Sequence, residues 1–180
     1  EIKKIIIVYN KRHKKYLSNI SLMNIIKITG GKTRQKSTLK ALKKFKNKNF
    51  NKVLIHDVAR PNPPKKMIKN IIYKLKKNDA VIPVMKVVDA TKRVQNNLIF
   101  KNINRKNLRL TQTPQGFTFK KIYEKHLKNI NTPIDDDAAL FVLKKEKIIS
   151  VRGYKENFKI TNSEDLILFK SLIAKKIYAG

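Results

Sequence analysis

The stretch that most constrains the fold is Val53-Leu54-Ile55-His56-Asp57-Val58-Ala59-Arg60-Pro61. A short apolar run ends abruptly in His56-Asp57, and Arg60-Pro61 follows. An apolar run bounded this way reads as a buried parallel strand. Polar side chains gathered at its carboxyl end stand where open α/β sheets bind ligands.

The rest of the chain repeats this grammar. Ile5-Ile6-Ile7-Val8-Tyr9 reads as a strand, the basic segment from Lys11 to Ser18 as a helix, and Asn24 to Ile28 as a second strand broken by Gly30-Gly31. From Ser37 to Phe45, Leu39, Leu42 and Phe45 share a helical face. Lys52 to His56 is the next strand. Pro63-Pro64 opens a helix bearing Met67, Ile68, Ile71, Ile72 and Leu75. Ala80 to Val84 is a further strand. Strand and helix in alternation predict a mostly parallel sheet with helices on both faces.

From Val87 to Leu110 the pattern changes to a hairpin turning at Gln95-Asn96-Asn97. Thr111 to Phe117 is a proline- and glycine-broken loop. Phe119, Ile122, Tyr123, Leu127 and Ile130 recur at helical spacing, and Asp135 and Asp136 can cap a second helix through Leu143. Ile148 to Val151 is a strand, and Thr161-Asn162-Ser163-Glu164 reads as a capping box before a last helix through Leu166, Phe169, Leu172 and Ile173. No repeat or linker interrupts the chain, so residues 1–180 read as a single domain, with 87–110 as an arm within it.

Lys and Arg number 43 against 12 acids, a net charge of +31. The lysines are scattered through every segment, as in Lys3-Lys4, Lys43-Lys44 and Lys76-Lys77, and no nucleic-acid-binding signature accompanies them. A compositional drift accounts for them better than a selected nucleic-acid site, so no specific nucleic-acid partner is expected. Loose polyanion binding at low salt is expected all the same. There is no cysteine, hence no disulfide framework. Apolar runs fall far short of the roughly 20 residues that span a bilayer, and Glu1-Ile2-Lys3-Lys4 leads into a strand-like run. No membrane association and a cytoplasmic location are the expectation.

Several segments admit chemistry. Gly30-Gly31-Lys32-Thr33-Arg34-Gln35-Lys36-Ser37 combines a glycine turn, hydroxyls and positive charge, which suits a nucleotide but is also plain punctuation before a helix. Asp57 can accept ligand hydroxyls or help hold Mg²⁺ near a triphosphate, or simply end a turn. Asp89-Ala90-Thr91-Lys92-Arg93 on the hairpin reads bare as a solvated ribbon, Gln112-Thr113-Pro114-Gln115 as a proline turn, and Lys159 is one lysine among many.

Taken in order, these segments resemble the motifs of the 2-C-methyl-D-erythritol 4-phosphate cytidylyltransferases. The matching elements are a GGxxRxxS turn from Gly30, the HDxARP motif from His56, the arm with its threonine and following arginine, the QTPQ loop from Gln112 and an NxKxT element from Asn157. The resemblance runs from about Gly30 to Leu172. It implies an α/β, three-layer nucleotidyltransferase (Rossmann-like) fold, a mostly parallel sheet and a projecting β-arm. It further implies transfer of a cytidylyl group from CTP, with Mg²⁺ or another divalent cation, to 2-C-methyl-D-erythritol 4-phosphate. Gly31 and Ser37 then lie against the cytosine, with Val58 also on the nucleotide side. Asp57, Thr91 and Thr113 contact the substrate. Lys159 of one subunit and Arg105 of the other hold the attacking phosphate, which implies a homodimer through the arm.

Two departures accompany the match. The family's glycine-rich loop with its arginine and lysine has no counterpart before Ile5, so the expectation is an amino-terminally truncated copy or a fragment of a longer frame. Asp135 occupies a position where the family usually shows threonine. A ribitol 5-phosphate cytidylyltransferase, a basic nucleic-acid-binding protein and an inactive remnant are the other readings, and a cyclodiphosphate synthase domain beyond Gly180 occurs in some relatives.

Overall fold

A computed structural model describes residues 2–20 and 23–178, with side chains described through residue 174. The chain clusters into two compact units, residues 1–53 with 117–147, and residues 54–116 with 148–180.

In the first unit, β1 (Ile5–Tyr9) and β2 (Ile25–Thr29) pair in parallel, Ile5 opposite Ile25 through Tyr9 opposite Thr29. The basic segment between them forms a 3₁₀ helix over Lys11–Leu17, started by Asn10, whose side chain accepts the Arg12 N–H. No acid stands in its first turn and none of its residues is buried, so neither charge nor packing favours a longer α-helix there. The helix α1 (Arg34–Phe45) begins three residues earlier than Ser37, because Thr33 caps it by accepting the Lys36 N–H. Leu39 and Leu42 are buried, while Phe45 meets Phe50 edge-on at 5.0 Å between ring centroids.

The helix α3 (Phe119–Lys128) corrects the expected face. Phe119, Ile122, Lys125 and His126 are the buried positions, and Leu127 is 43% exposed. The helix turns to bury an imidazole instead of a leucine because that ring has a buried carboxylate to meet, described below. Phe117 stacks on Phe141 at 5.4 Å, and the second helix is a single turn, α4 (Ala139–Val142). Asp136 accepts the Ala139 N–H at 2.9 Å, the capping role its position implied.

In the second unit the central strand is β4 (Ala80–Lys86), whose first four residues are buried. The sheet runs β3 (Lys52–Ile55), β8 (Gln115–Thr118), β4, β7 (Arg109–Thr111), and β9 (Ile149–Arg152) also pairs with β4. The β4–β9 pair is parallel, and the β4–β7 pair antiparallel. The helix α2 (Lys65–Lys74) starts after Pro64 and presents Met67, Ile71 and, at its end, Leu75 to the sheet, where they pack with Val81 and Val151. Spacing by four residues puts the three on one helical stripe.

The hairpin is β5 (Thr91–Gln95) and β6 (Leu98–Ile103), with Asn96 and Asn97 at φ of 48° and 65°. Two consecutive left-handed residues make the primed two-residue turn whose twist suits paired strands, and asparagine tolerates it. The last helix, α5 (Ser163–Tyr178), is capped one residue later than expected. Asn162 accepts the Asp165 N–H at 2.8 Å, and Asp165 accepts the Asn162 N–H at 3.3 Å and the Thr161 hydroxyl at 2.6 Å. The box is therefore Asn162–Asp165 rather than Thr161–Glu164. Those bonds, the Thr161 hydroxyl foremost, hold the exposed Asp165 carboxyl below its ordinary value. Among the described residues, no helix is long and apolar enough to cross a membrane.

Gly116 sits where β8 meets α2. A Cβ there would come within 2.5 Å of Ile71 Cγ2 and 2.7 Å of Leu75 Cδ1, both of them core atoms. Gly116→Ala is expected to cost about 1–3 kcal/mol by overpacking, read as a lowered urea midpoint with an unchanged slope.

Candidate functional site

The two units carry two separate clusters. In the second, the backbone leaves β3 at Ile55 and turns back at Arg60, whose N–H donates to Asp57 O at 2.9 Å. His56 Nε2 lies 2.9 Å from Arg60 O, an acceptor only, so that nitrogen carries the proton. Nδ1 is then the acceptor for the Thr113 hydroxyl at 2.9 Å, and Thr113 Oγ1 in turn accepts the Asp57 N–H at 3.0 Å. This chain assigns the neutral tautomer of His56 from its partners. Burial, the largest influence, lowers the His56 pKa below 6.5 against the opposing pull of the Arg60 carbonyl and Asp57. The ring still has an edge in solvent, so the effect is modest.

Asn157 closes the cluster. It is fully buried, and its Nδ2 donates to Thr113 O at 2.9 Å and to Gln112 Oε1 at 3.3 Å. Its own carbonyl accepts Arg60 Nη1 at 2.8 Å. Gln112 Nε2 donates to Tyr154 O at 2.9 Å, and Gln112 Oε1 accepts the Tyr154 N–H at 3.0 Å. The Ile160 N–H donates to Ala59 O at 2.8 Å. The QTPQ loop, the HDxARP turn and the segment after β9 are thereby one hydrogen-bonded body. Gly153 is needed in it, because a Cβ would stand 2.7 Å from Gln112 Oε1 and 3.0 Å from Val84 O.

On this body stand Asp57 and Lys159, with Lys159 Nζ 3.5 Å from Asp57 Oδ2 and side chains 46% and 21% exposed, respectively. A long, half-exposed ion pair contributes little to stability. An ammonium and a carboxylate held so, on a rigid frame and open to solvent, suit an anionic ligand bearing hydroxyls.

The remaining expected residues of this unit are Val58, Thr91 and Arg105. Val58 is 80% exposed on the HDxARP turn. Thr91 is at the start of β5, its hydroxyl 3.4 Å from Asp89 O. Arg105 follows the hairpin, its guanidinium donating to Val88 O. With Lys86, Lys106 and Arg109 it lines a recess of about 420 Å³ at the base of the arm.

The first unit holds Gly31 and Ser37. The Gly31 N–H donates to Ser37 Oγ at 3.0 Å, and that hydroxyl donates to Thr33 O at 2.9 Å. Space demands the glycines: a Cβ on Gly30 would stand 2.7 Å from Ser37 Oγ, and one on Gly31 2.7 Å from Lys36 Cβ. Arg34, in the same turn, donates from Nη2 to Asp137 Oδ2 at 2.5 Å, and His126 Nε2 reaches Asp137 Oδ1 at 2.9 Å. Burial favours the neutral acid at Asp137, but the His126 bond and the Arg34 charge outweigh it and lower its pKa. Sequence reading passed over Asp137, His126 and Asn157. Asn157 was visible in the NxKxT element; nothing in the sequence pairs an α3 histidine with an aspartate eleven residues on. Asp135 is neither brought to this carboxylate cluster nor buried. Among the described residues, no group of three or more His, Asp or Glu could hold a metal on its own.

The neutral form of His56 is favoured by folding, so its contribution is complete above about pH 6.5 and fades as pH falls through that value. His56→Gln is expected to flatten the fall in melting temperature between about pH 7 and 5; an unchanged profile would remove His56 as its source.

The family model for 2-C-methyl-D-erythritol 4-phosphate cytidylyltransferase matches residues 1–175. A bifunctional enzyme IspD/IspF of Pelagibacter ubique is 44% identical over 171 residues, 94% of this chain and 45% of that protein. A 2-C-methyl-D-erythritol 4-phosphate cytidylyltransferase of Prochlorococcus marinus strain MIT 9515 is 41% identical over 79% of this chain and 65% of its own length. The chain therefore spans less than two thirds of these relatives. The crystal structure of a 4-diphosphocytidyl-2C-methyl-D-erythritol synthase of Anaerococcus prevotii superposes with a TM-score of 0.85 at 31% identity, covering 96% of this chain and 79% of that one. The bifunctional IspDF of Campylobacter jejuni superposes at 0.76 and 30% identity, covering 92% of this chain and 41% of that one. The fold is thus the α/β nucleotidyltransferase fold that the motifs implied, and the chain belongs to the 2-C-methyl-D-erythritol 4-phosphate cytidylyltransferase family.

Proposed function

We propose that this chain carries cytidylyl transfer from CTP to 2-C-methyl-D-erythritol 4-phosphate, giving 4-diphosphocytidyl-2-C-methyl-D-erythritol and pyrophosphate. The observation that carries this reading is the Asp57–Lys159 pair held on the Thr113–Asn157 frame, at motif positions of the family to which the chain belongs. A phosphate oxygen of the sugar phosphate attacks the α-phosphorus of CTP in line. The new P–O bond forms as the bond to the β-phosphate oxygen breaks, and pyrophosphate leaves. Lys159 neutralises and orients the attacking phosphate. Asp57 accepts substrate hydroxyls beside Thr113. Gly31 and Ser37 contact the cytosine, and Val58 lies on the nucleotide side.

Magnesium fits the donor set: it commonly takes one or two carboxylates with substrate phosphates and water, and Asp57 can supply one such oxygen. When bound it would neutralise triphosphate charge. A cytoplasmic setting fits substrates of this kind.

The arm supports a homodimer. Val94, Leu98, Ile99 and Phe100 are all more than half exposed on the hairpin, an apolar surface on a ribbon that buries none of its residues. Thr91 and Arg105 at its base are then offered to the partner subunit, where Arg105 binds phosphate as a fork.

The test uses protein made from the full reading frame, assayed for pyrophosphate release from CTP with 2-C-methyl-D-erythritol 4-phosphate and, in parallel, ribitol 5-phosphate. Preference for the second sugar, or no turnover with either, would overturn the assignment. Lys159→Ala and Arg105→Ala should each lower kcat/KM by roughly tenfold to a hundredfold with little change in melting temperature. Co-expressed, the two variants should regain up to about a quarter of wild-type activity, since mixed dimers hold one intact site. No recovery would remove the shared site.

A further inference from the structure

Several features lie outside the roles assigned so far. The basic recess beside Arg105 belongs to the phosphate reading already given. The apolar residues of α5 have nothing in the structure to say what covers them. The Arg34–Asp137–His126 cluster is different, because it is buried, charged and tied to one particular turn.

Asp137 and His126 are wholly enclosed, with side chains 0% exposed. A buried carboxylate is costly unless paired and hydrogen-bonded, and this one is satisfied from both sides, by Arg34 at 2.5 Å and His126 at 2.9 Å. His126 Nδ1 has no hydrogen-bond partner among the described residues, so the ring is held by the aspartate alone. Arg34 is the first residue of α1. Its neighbour Gln35, also buried, donates from Nε2 to Asn129 O at 2.6 Å. The first two residues of α1 are thus fastened, by separate bonds, to the segment that follows α3. Three residues before Arg34 lies Gly31, and three after it lies Ser37, the two joined at 3.0 Å.

We propose that Arg34, Asp137 and His126 are positioning residues that fix the Gly31–Ser37 turn, and through it the affinity for the pyrimidine nucleotide. The second half of this statement rests on the nucleotide reading of the turn; the first half does not. The bonds inside the turn, Gly31 N–H to Ser37 Oγ, Ser37 Oγ to Thr33 O and Lys36 N–H to Thr33 Oγ1, set its local shape but do not fasten it to the rest of the unit. Its precision is therefore borrowed from the charged anchor behind it. The guanidinium reaches Asp137 as a planar donor, which a point-like ammonium on a flexible four-carbon stem reproduces only in part. Removing the guanidinium would leave the Asp137 carboxylate with a single partner in an enclosed space, so the loop should shift to admit water and carry the turn with it.

The experiment compares full-length wild type with Arg34→Gln, Arg34→Lys and Ser37→Ala. Amide exchange at Gly31 and Ser37 is read against the β1–β2 amides, and the dissociation constants are measured for CTP and for the sugar phosphate. Arg34→Gln is expected to speed exchange at Gly31 and Ser37 by about tenfold, a scale set by one charge-assisted bond, with the β1–β2 amides unmoved. CTP affinity should fall about tenfold while sugar-phosphate affinity stays within about twofold. Arg34→Lys should recover part of both losses. If Arg34→Gln leaves exchange at the turn unchanged, or raises it equally throughout the unit, the positioning role is overturned. If exchange responds as expected but Ser37→Ala leaves CTP affinity at the wild-type value, the anchor stands and the nucleotide reading of the turn falls.

Discussion

One buried amide side chain does more than any other group to make the second unit a platform. Asn157 is completely enclosed; its side-chain Nδ2 donates to Gln112 and Thr113 of the QTPQ loop and its backbone carbonyl accepts Arg60 of the HDxARP turn, so it ties two other pieces of chain to its own segment. Each of those pieces carries backbone groups that water no longer reaches, and an unsatisfied one would cost about 1–3 kcal/mol. Asn157 meets the Thr113 carbonyl and its own carbonyl meets Arg60, so the loops can be both buried and irregular. Lys159 is two residues further on, and Asp57 is bonded through Thr113 to the same body. The separation of Asp57 and Lys159 is therefore set by the hydrogen-bonded frame beneath them.

Much of this was legible in the sequence because it is written in local patterns. The apolar run before His56, the stripe of Met67, Ile71 and Leu75, and the Asn96-Asn97 turn each follow from backbone preference or periodicity over a few residues. What failed did so where tertiary pairing overrides local preference. On α3 the periodicity of apolar residues pointed to Leu127, and the buried position went to His126, because Asp137 supplies a partner that no reading of neighbouring residues can see. At α5 two adjacent residues could both serve as cap, and Asp165, which bonds Asn162 and Thr161 at once, decided between them. The motif residues of the site were legible by resemblance; the bonds that hold them were not.

The charge of the chain puts these observations in proportion. With 43 cations and only 12 acids, a lysine at a given place says little about selection. Repulsion among the cations disfavours the compact state, and salt screens it over a distance of roughly 8–10 Å. An acid is a scarcer statement. Asp137 joins Arg34 to His126, Glu146 meets Lys125 at 2.5 Å, Asp136 and Asp165 cap helices, and Asp57 faces Lys159. These acids sit where a backbone end or a particular cation needs one.

That contrast separates the structural acids from Asp57, the one for which we propose chemistry. Asp137 is enclosed, short-bonded and held ionised by its neighbours, so its carboxylate has no oxygen to offer a ligand. Asp165 spends an oxygen on three donors at a helix start. Asp57 is only partly enclosed, and its ion pair is long enough to open at little cost. In the proposed reaction an incoming phosphate takes Lys159 from it, and the Asp57 carboxylate turns to a hydroxyl or a cation on the same frame. In a chain so rich in positive charge, a long, partly exposed pair of one carboxylate and one lysine suits that proposed exchange of partners.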